Sequence, residues 1–359
     1  MPFTPMPPSS PNRVKDFKLP TAVLAAARIN ETELLAGCLD GVYRVNLEEQ
    51  SLRKVGQHTS YVSSVAVLPQ RGQYLSAGYD GMLHWYDLAT DERVRSLTLH
   101  DFWSWDMAVS PDESLVASVT GQYLAGGYKY EPAPEREPSV RIVDVASGEM
   151  LHSLPHVPSV QAVAFSNDGQ FVAAGNLMGE IRIWNARSGE QVATWTTPDF
   201  TSWGIIKSHC YLGGIFALRF TPDDSALLMC GMGPMHDPMA GNGKQLWQRW
   251  NWRADPPTKD DQTHEGDAGE GLMEALAVHP DGSWFAMGGR LRGGNLNVGM
   301  FGISDGAKVG SIKSGYRVTE ILFAADGQKM ILVGGQGQPD KDKDGRIADF
   351  GRIEVYDVA

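Results

Sequence analysis

The densest run of candidate ligand residues in the 359-residue chain is Asp340-Lys-Asp-Lys-Asp-Gly-Arg-Ile-Ala-Asp349. Carboxylates at Asp340, Asp342 and Asp344 fall on alternate positions, a spacing that lets three side chains converge on one hard cation. Gly345 permits the sharp bend, Arg346 offers a backbone carbonyl, Ile347 is an apolar anchor and Asp349 a further carboxylate. Calcium suits these donors, and its task there would be to rigidify a loop. The competing expectation is a charged, solvated hairpin tip. His58, Asp80 and Tyr86 form a second group, and His156 and Trp184 a third. Both are expected to be structural, orienting turns against strands through buried hydrogen bonds. His209, His236, His264, Glu270 and Glu274 could supply an enzyme's polar or metal site, but their spacing is not diagnostic. Met229, Met232, Met235 and Met239, with His236 nearby, form a soft apolar contact or, in a rarer reading, a copper site. No nucleophile elbow, phosphate loop or closed metal cluster is recognisable.

The elements that must position these residues are short strands. Residues 159–195 hold four apolar runs separated by turn residues, which predicts a four-stranded antiparallel sheet of about forty residues. The end of the first run and its turn recur around Asn30, Pro69, Pro111, Asn167, Pro222, Pro280 and Ala325. Such a unit cannot bury both faces alone and needs copies of itself on either side. The last copy stops after its third strand, near Asp357, and an orphan strand lies near the start, at residues 13–19. One missing strand and one spare predict a closed ring, in which the N-terminal strand completes the last sheet and removes two terminal faces that would need caps. The expected organisation is a Pro-rich leader over residues 1–12 and a single repeat domain over 13–359. Long loops are expected around 120–138, 197–213, 231–243, 251–271 and 335–351.

Composition agrees with a turn-rich all-β chain: 40 Gly, 21 Pro and no helical stretch with a regular apolar face. The net charge of -12 argues against nucleic acid as a partner, because phosphate binding needs concentrated Lys and Arg. No apolar run has transmembrane length, and no secretory signal is visible. Three cysteines, Cys38, Cys210 and Cys230, are too few for a disulfide framework, so the expected compartment is the cytoplasm.

The units resemble the WD40 repeat. Phe165-Ser-Asn-Asp-Gly169, Val172-Ala-Ala-Gly175 and Ile181-Arg-Ile-Trp-Asn185 carry the closest likeness, supported by Trp85-Tyr-Asp-Leu88. The resemblance implies a seven-bladed β-propeller of divergent, bacterial type. It also implies a buried network of a His, a Ser or Thr, an Asp and a Trp in each blade. Here the second blade offers His58, Asp80 and Tyr86, with Ala77 at the hydroxyl position. The fourth offers His156 and Trp184, with Ala174 and Met178 at the other places. The acidic loop at 340–349 is similar to the calcium loop of EF-hands but lacks a Glu at its twelfth position, where Gly351 stands.

In this type of propeller, loops between second and third strands share a face with the links between blades. The long segments here fall on that face, and loops on a rigid scaffold are where binding usually lives. Aromatic residues crowd it: Tyr61, Phe102, Trp103, Trp105, Phe200, Trp203, Tyr211 and Tyr316, with Tyr123, Tyr128 and Tyr130 in a long loop. Tyr61, Trp103, Trp105, Trp203, Tyr211 and Tyr316 are the candidate anchors for a protein or peptide partner. The expected function is a non-catalytic interaction scaffold, either free-standing or as a subunit of a larger complex. The alternative is a propeller-type hydrolase, lyase or oxidoreductase with a polar or metal site at its central channel.

Overall fold

The computed structural model describes residues 10–122, 138–203, 211–237, 242–293 and 296–358. It is all-β: among the described residues the only helical pieces are two single 3-10 turns. The first sheet runs Val23–Arg28, Glu33–Cys38, Gly41–Asn46 and Ser51–Gly56. The second runs Val62–Leu68, Gln73–Gly78, Met82–Asp87 and Arg93–Thr98. The third runs Asp106–Val109, Leu115–Val119, Val140–Asp144 and Met150–Leu154, and the fourth Val160–Phe165, Phe171–Asn176, Glu180–Asn185 and Gln191–Thr196. A nine-stranded sheet follows. Tyr211–Phe220, Leu227–Asp237, Asn242–Asn251 and Thr258–Gln262 form one run, and Glu270–Val278, Trp284–Gly293, Val298–Gly302 and Lys308–Ile312 a second. The two runs share the pair Lys244 and Glu270, and Thr201–Trp203 is added at the edge. The last sheet holds Arg317–Phe323, Lys329–Gly335 and Gly351–Asp357, and its fourth member is the N-terminal strand Asn12–Leu19. Leu19 pairs with Gly351 and Asn12 with Asp357, antiparallel.

Burial explains the strand pattern. Second strands such as Leu115–Val119 are buried throughout because sheets cover both of their faces. Fourth strands such as Gln191–Thr196 alternate exposed with half-buried residues, as an edge with one wet face must. The core is not one mass. Each buried cluster straddles two sheets that follow one another in the chain, as Leu115, Ala117 and Val140 with Val163, Val172 and Trp184. One further cluster joins the first sheet to the last, through Val23, Leu34 and Tyr43 against Ile331, Val333 and Ile353.

The recurrent turn is held by its own acid. Ser166 donates its hydroxyl to Asp168 Oδ1 at 2.6 Å, Gln170 donates its N–H to the same oxygen at 2.9 Å, and Gly169 takes φ 71°. Thr221 and Asp223 repeat this in the next run.

Several expected loops are corrected. Most of the segment 231–243 is strand, because the hairpin Leu227–Asp237 and Asn242–Asn251 extends beyond the sheet's usual length. The link 251–271 carries the fifth unit's fourth strand, Thr258–Gln262, whose charged sequence hid it from an apolar pattern. The N-terminal strand begins at Asn12, inside the expected leader, and residues 1–9 lie outside the described part.

Candidate functional site

The histidines belong to the scaffold. His58 Nδ1 bonds Asp80 Oδ1 at 2.9 Å and Nε2 bonds Ser76 Oγ at 2.8 Å. Asp80 also accepts the N–H groups of Thr59 and Met82, so it ties the link between sheets to the turn after the second strand. The hydroxyl expected at position 77 is thus supplied one residue earlier, by Ser76. The same device recurs eighteen residues apart in the next sheet, where His100 Nε2 meets Ser118 Oγ at 2.9 Å. In the fourth sheet, where position 174 is alanine, His156 Nε2 turns to the Ala174 carbonyl at 3.3 Å. Burial drives the imidazoles down: His100 and His156 to about 3, and His84 to about 4. His58 is lowered by the same burial, against the opposing pull of Asp80. All stay neutral donors and acceptors near pH 7. Trp184 is buried 6.0 Å from the His156 ring, and Tyr86 stacks on Tyr74 at 4.7 Å.

His58, Asp80 and His84 are, among the described residues, the trio whose acidic and imidazole ligand atoms lie within 4.8 Å of one another. Both ring nitrogens of His58 are already engaged, by Asp80 and Ser76, and the His84 ring packs on the His58 ring at 4.3 Å. The carboxylates of Asp340, Asp342, Asp344 and Asp349 form no such trio. Asp342 Oδ1 instead accepts the N–H groups of Asp344 and Arg346, at 2.9 and 2.8 Å, and the Arg346 carbonyl accepts the N–H of Asp342. Ile347 is 37% exposed and anchors nothing. The Asp342 hydrogen bonds close the loop locally at its turn.

Of the residues considered for a polar enzyme site, Glu274 reaches the central cavity. His264 is exposed and bonded to Asp261, and Glu270 sits in the ladder to Lys244. His209 lies outside the described residues and the His236 side chain is not described. The methionines separate: Met229 is buried in the core and Met232 lines the cavity.

That cavity measures about 670 Å³. Six of the first strands carry a register slip at one place, between Val23 and Ala25, Val62 and Ser64, Val160 and Ala162, Ile215 and Ala217, Met273 and Ala275, and Val318 and Glu320. The extra residue of each bulge is turned from the sheet toward the cavity. These are Leu24, Ser63, Gln161, Phe216, Glu274 and Thr319, and Trp105 takes the matching place in the third sheet.

One wall is aromatic. Tyr79 stacks on Trp103 with ring centres 4.6 Å apart and planes 2° apart, and Trp105 meets both edge-on at 5.2 Å. Phe102 continues the stack on Trp103 at 5.0 Å, and Tyr61 approaches Tyr79 at 5.7 Å. Tyr61 is 46% exposed and Trp103 40%. The ledge is held from behind: Thr120 donates its hydroxyl to the Trp103 carbonyl at 2.7 Å, and the Trp105 indole N–H donates to the Gly121 carbonyl at 3.0 Å. Across the mouth, Arg317 grips both carboxylate oxygens of Glu274.

Deeper, a second cavity of about 540 Å³ shares Ser63, Asp106, Arg219 and Glu320 with the first. These mark a waist where the two cavities meet. The residue after the slip is small in five strands, Ala25, Ser64, Ala162, Ala217 and Ala275, and acidic in one, Glu320; Asp106 takes the matching place in the third sheet. Two residues further on, the column reads Ala27, Ala66, Ala108, Ala164 and Ala277, broken by Arg219 and Leu322. Arg219 lies 3.8 Å from Glu320 and donates to the Leu218 carbonyl at 2.7 Å. Asp106 accepts backbone N–H groups from Met107 and Val163, at 2.8 and 3.0 Å. Burial raises the Asp106 carboxyl. Burial, then the Asp106 charge, raises Glu320 to about 7, against the lowering effect of Arg219.

Among the other expected anchors, Tyr316 is buried and points its hydroxyl at Glu354. It therefore serves the core of the last sheet and is no surface anchor. Trp203 and Tyr211 pair through their backbones, and their side chains are not described. Tyr123, Tyr128 and Tyr130 lie outside the described residues. Sequence reasoning missed Tyr79, Asp106, Arg219, Arg317 and Glu320. The broken alanine column was the available signal for Arg219.

The family described as "WD domain, G-beta repeat" matches residues 49–87 and 148–185, each window running from the fourth strand of one sheet to the third strand of the next. Mouse telomerase protein component 1 is 29% identical over 169 residues, covering 46% of this chain and 6% of its own length. Rat apoptotic protease-activating factor 1 is 28% identical over 201 residues, 55% of this chain and 14% of its own. Rat serine-threonine kinase receptor-associated protein is 25% identical over 180 residues, 43% of this chain and 51% of its own. The chain thus spans a small part of the larger relatives and about half of the last. A chain from the crystal structure of the mitotic checkpoint complex superposes with a TM-score of 0.70 at 15% identity, covering 100% of this chain and 94% of that one.

Proposed function

We propose that the chain, which carries WD40 repeats, is a non-catalytic scaffold docking an extended protein segment at the loop-rich mouth of a seven-bladed ring. Support for the ring comes from the buried clusters, which join every sheet to its neighbours, the last to the first included. Pairing of Asn12–Leu19 with Gly351–Asp357 would then be its closure. The two runs of the nine-stranded sheet count as two blades, because Lys244 and Glu270 are the one ladder pair between them.

The observation that carries docking is the aromatic ledge. Burying Trp103 and Tyr61 in a complex removes apolar surface from water at little entropic cost, since the stack already fixes the rings. Relatives point the same way: one is described as associated with a kinase receptor, and the solved neighbour comes from a complex.

Selection of a random-peptide display library on the chain tests this. Enriched peptides should bind Trp103→Ala at least about thirtyfold more weakly, the loss expected of a central aromatic anchor. Leu151→Ala, on an outer edge strand, should change nothing. Equal binding to Trp103→Ala, with loss on Leu151→Ala, would move the site to the rim.

A further inference from the structure

We propose that the channel waist is a receptor for one cationic side chain, a guanidinium or ammonium carried by the docked segment. This deepens the docking reading and rests on it. Five first strands place alanine or serine after the slip, so Asp106 and Glu320 are not demanded by packing. Carboxylates only partly in water still favour a cationic partner, and here two half-buried ones face one guanidinium. Arg219 divides its donors between Glu320 and its own chain's Leu218 carbonyl. Asp106 receives two backbone N–H groups, which leave accepting capacity on both oxygens but no full counter-charge. Arg317 does not relieve the deficit, because Glu274 occupies it. Among the described residues the waist thus sets two carboxyl groups against one guanidinium.

Access and shape agree. The cavity leads from the ledge to the waist, and its upper wall is Tyr79, Trp103 and Trp105. An extended arginine or lysine has an apolar stem that suits aromatic faces and a charged head that suits two acids. The small residues around the waist leave the volume such a head requires. An anionic head would meet two carboxylates, and a purely apolar one would leave them unpaired.

The test uses two probes of one shape, N-acetyl-arginine amide and N-acetyl-citrulline amide, titrated into the full chain by calorimetry and tryptophan emission. The arginine probe should bind saturably, and the neutral citrulline probe at least about tenfold more weakly. The double variant Asp106→Asn, Glu320→Gln keeps acceptors for the backbone N–H groups and should lose that preference. Arg219→Gln, which removes the competing cation, should tighten the arginine probe severalfold. Thermal melts show that each variant is folded. No binding of the arginine probe, equal affinity for both probes, or an unchanged preference in the double variant each overturns the proposal. Failure of docking reads differently: display peptides would then ignore Trp103→Ala while the arginine probe still depended on Asp106 and Glu320.

Discussion

Eighteen residues separate His58 from Ser76, His100 from Ser118, and His156 from the Ala174 carbonyl. The constancy has a plain cause: each histidine ends the link into a sheet and must reach the middle of that sheet's second strand. His100→Ala leaves Ser118 buried without this partner, although Ser104 Oγ still lies 2.8 Å from it. His58→Ala strands Asp80 as well, a charged acceptor. We expect about 1–2 kcal/mol lost for His100→Ala and about 2–3 kcal/mol for His58→Ala, measured by denaturant unfolding. Peptide binding should be untouched in both. Equal losses would mean that Asp80 contributes nothing through its histidine. Loss of binding at full stability would make His58 a site residue.

Turns between second and third strands carry a different constraint. Gly81 has φ 73°, and a Cβ there would stand 2.1 Å from the His100 carbonyl oxygen. Its own carbonyl accepts the N–H groups of Leu99 and His100, so the turn of one sheet seats the link into the next. Gly81→Ala should cost more than about 2 kcal/mol, through left-handed backbone strain and displacement of that link. Gly72, at φ 61° with open space around it, is the control: Gly72→Ala pays the backbone cost alone. Melting temperatures check both, and a drop for Gly72→Ala as large as for Gly81→Ala would refute the packing component. Edge strands follow another rule. Val94 is exposed between Arg93 and Arg95, and such flanking charges discourage strand addition at the rim.

Across the whole molecule, the buried histidines set how stability answers pH. In the unfolded chain His100 and His156 would titrate near 6.5, and folding holds both near 3. Between those values the unfolded state binds more protons than the folded one, so stability falls as pH falls. Each contributes up to about 1.4 kcal/mol per pH unit at the steepest. Glu320 acts in the opposite sense. Its folded value near 7 lies above the unfolded value, so its contribution is lost as pH rises toward 7. Stability measured from pH 7 to 4.5 should therefore fall less steeply than the histidines alone require. Glu320→Gln should steepen it, and His100→Gln with His156→Gln should flatten it. A slope unchanged by either substitution would show that these groups do not control the acid response.

Much of this was legible along the chain. Period-two alternation and the Ser-x-Asp-Gly turns mark strands because a pleated edge and a tight turn each admit few residue types, so the four-stranded units could be read from residues 159–195 outward. His58 and Asp80 meet because the hairpin between them folds back on itself. The charged strand Thr258–Gln262 was not legible, because an outer strand with one wet face has no apolar signature. Nor was the local closure of Asp340 to Asp349, where the spacing of the acids does not reveal that Asp342 caps the turn's backbone N–H groups. The ledge and the waist lay furthest from view. Tyr79 stacks on Trp103 across a sheet boundary, and Asp106, Arg219 and Glu320 come from three separate sheets. Sequence periodicity reports what a strand needs from its own neighbours; which side chains meet at the centre depends on how the sheets are arranged around it, and only the tertiary structure decides that.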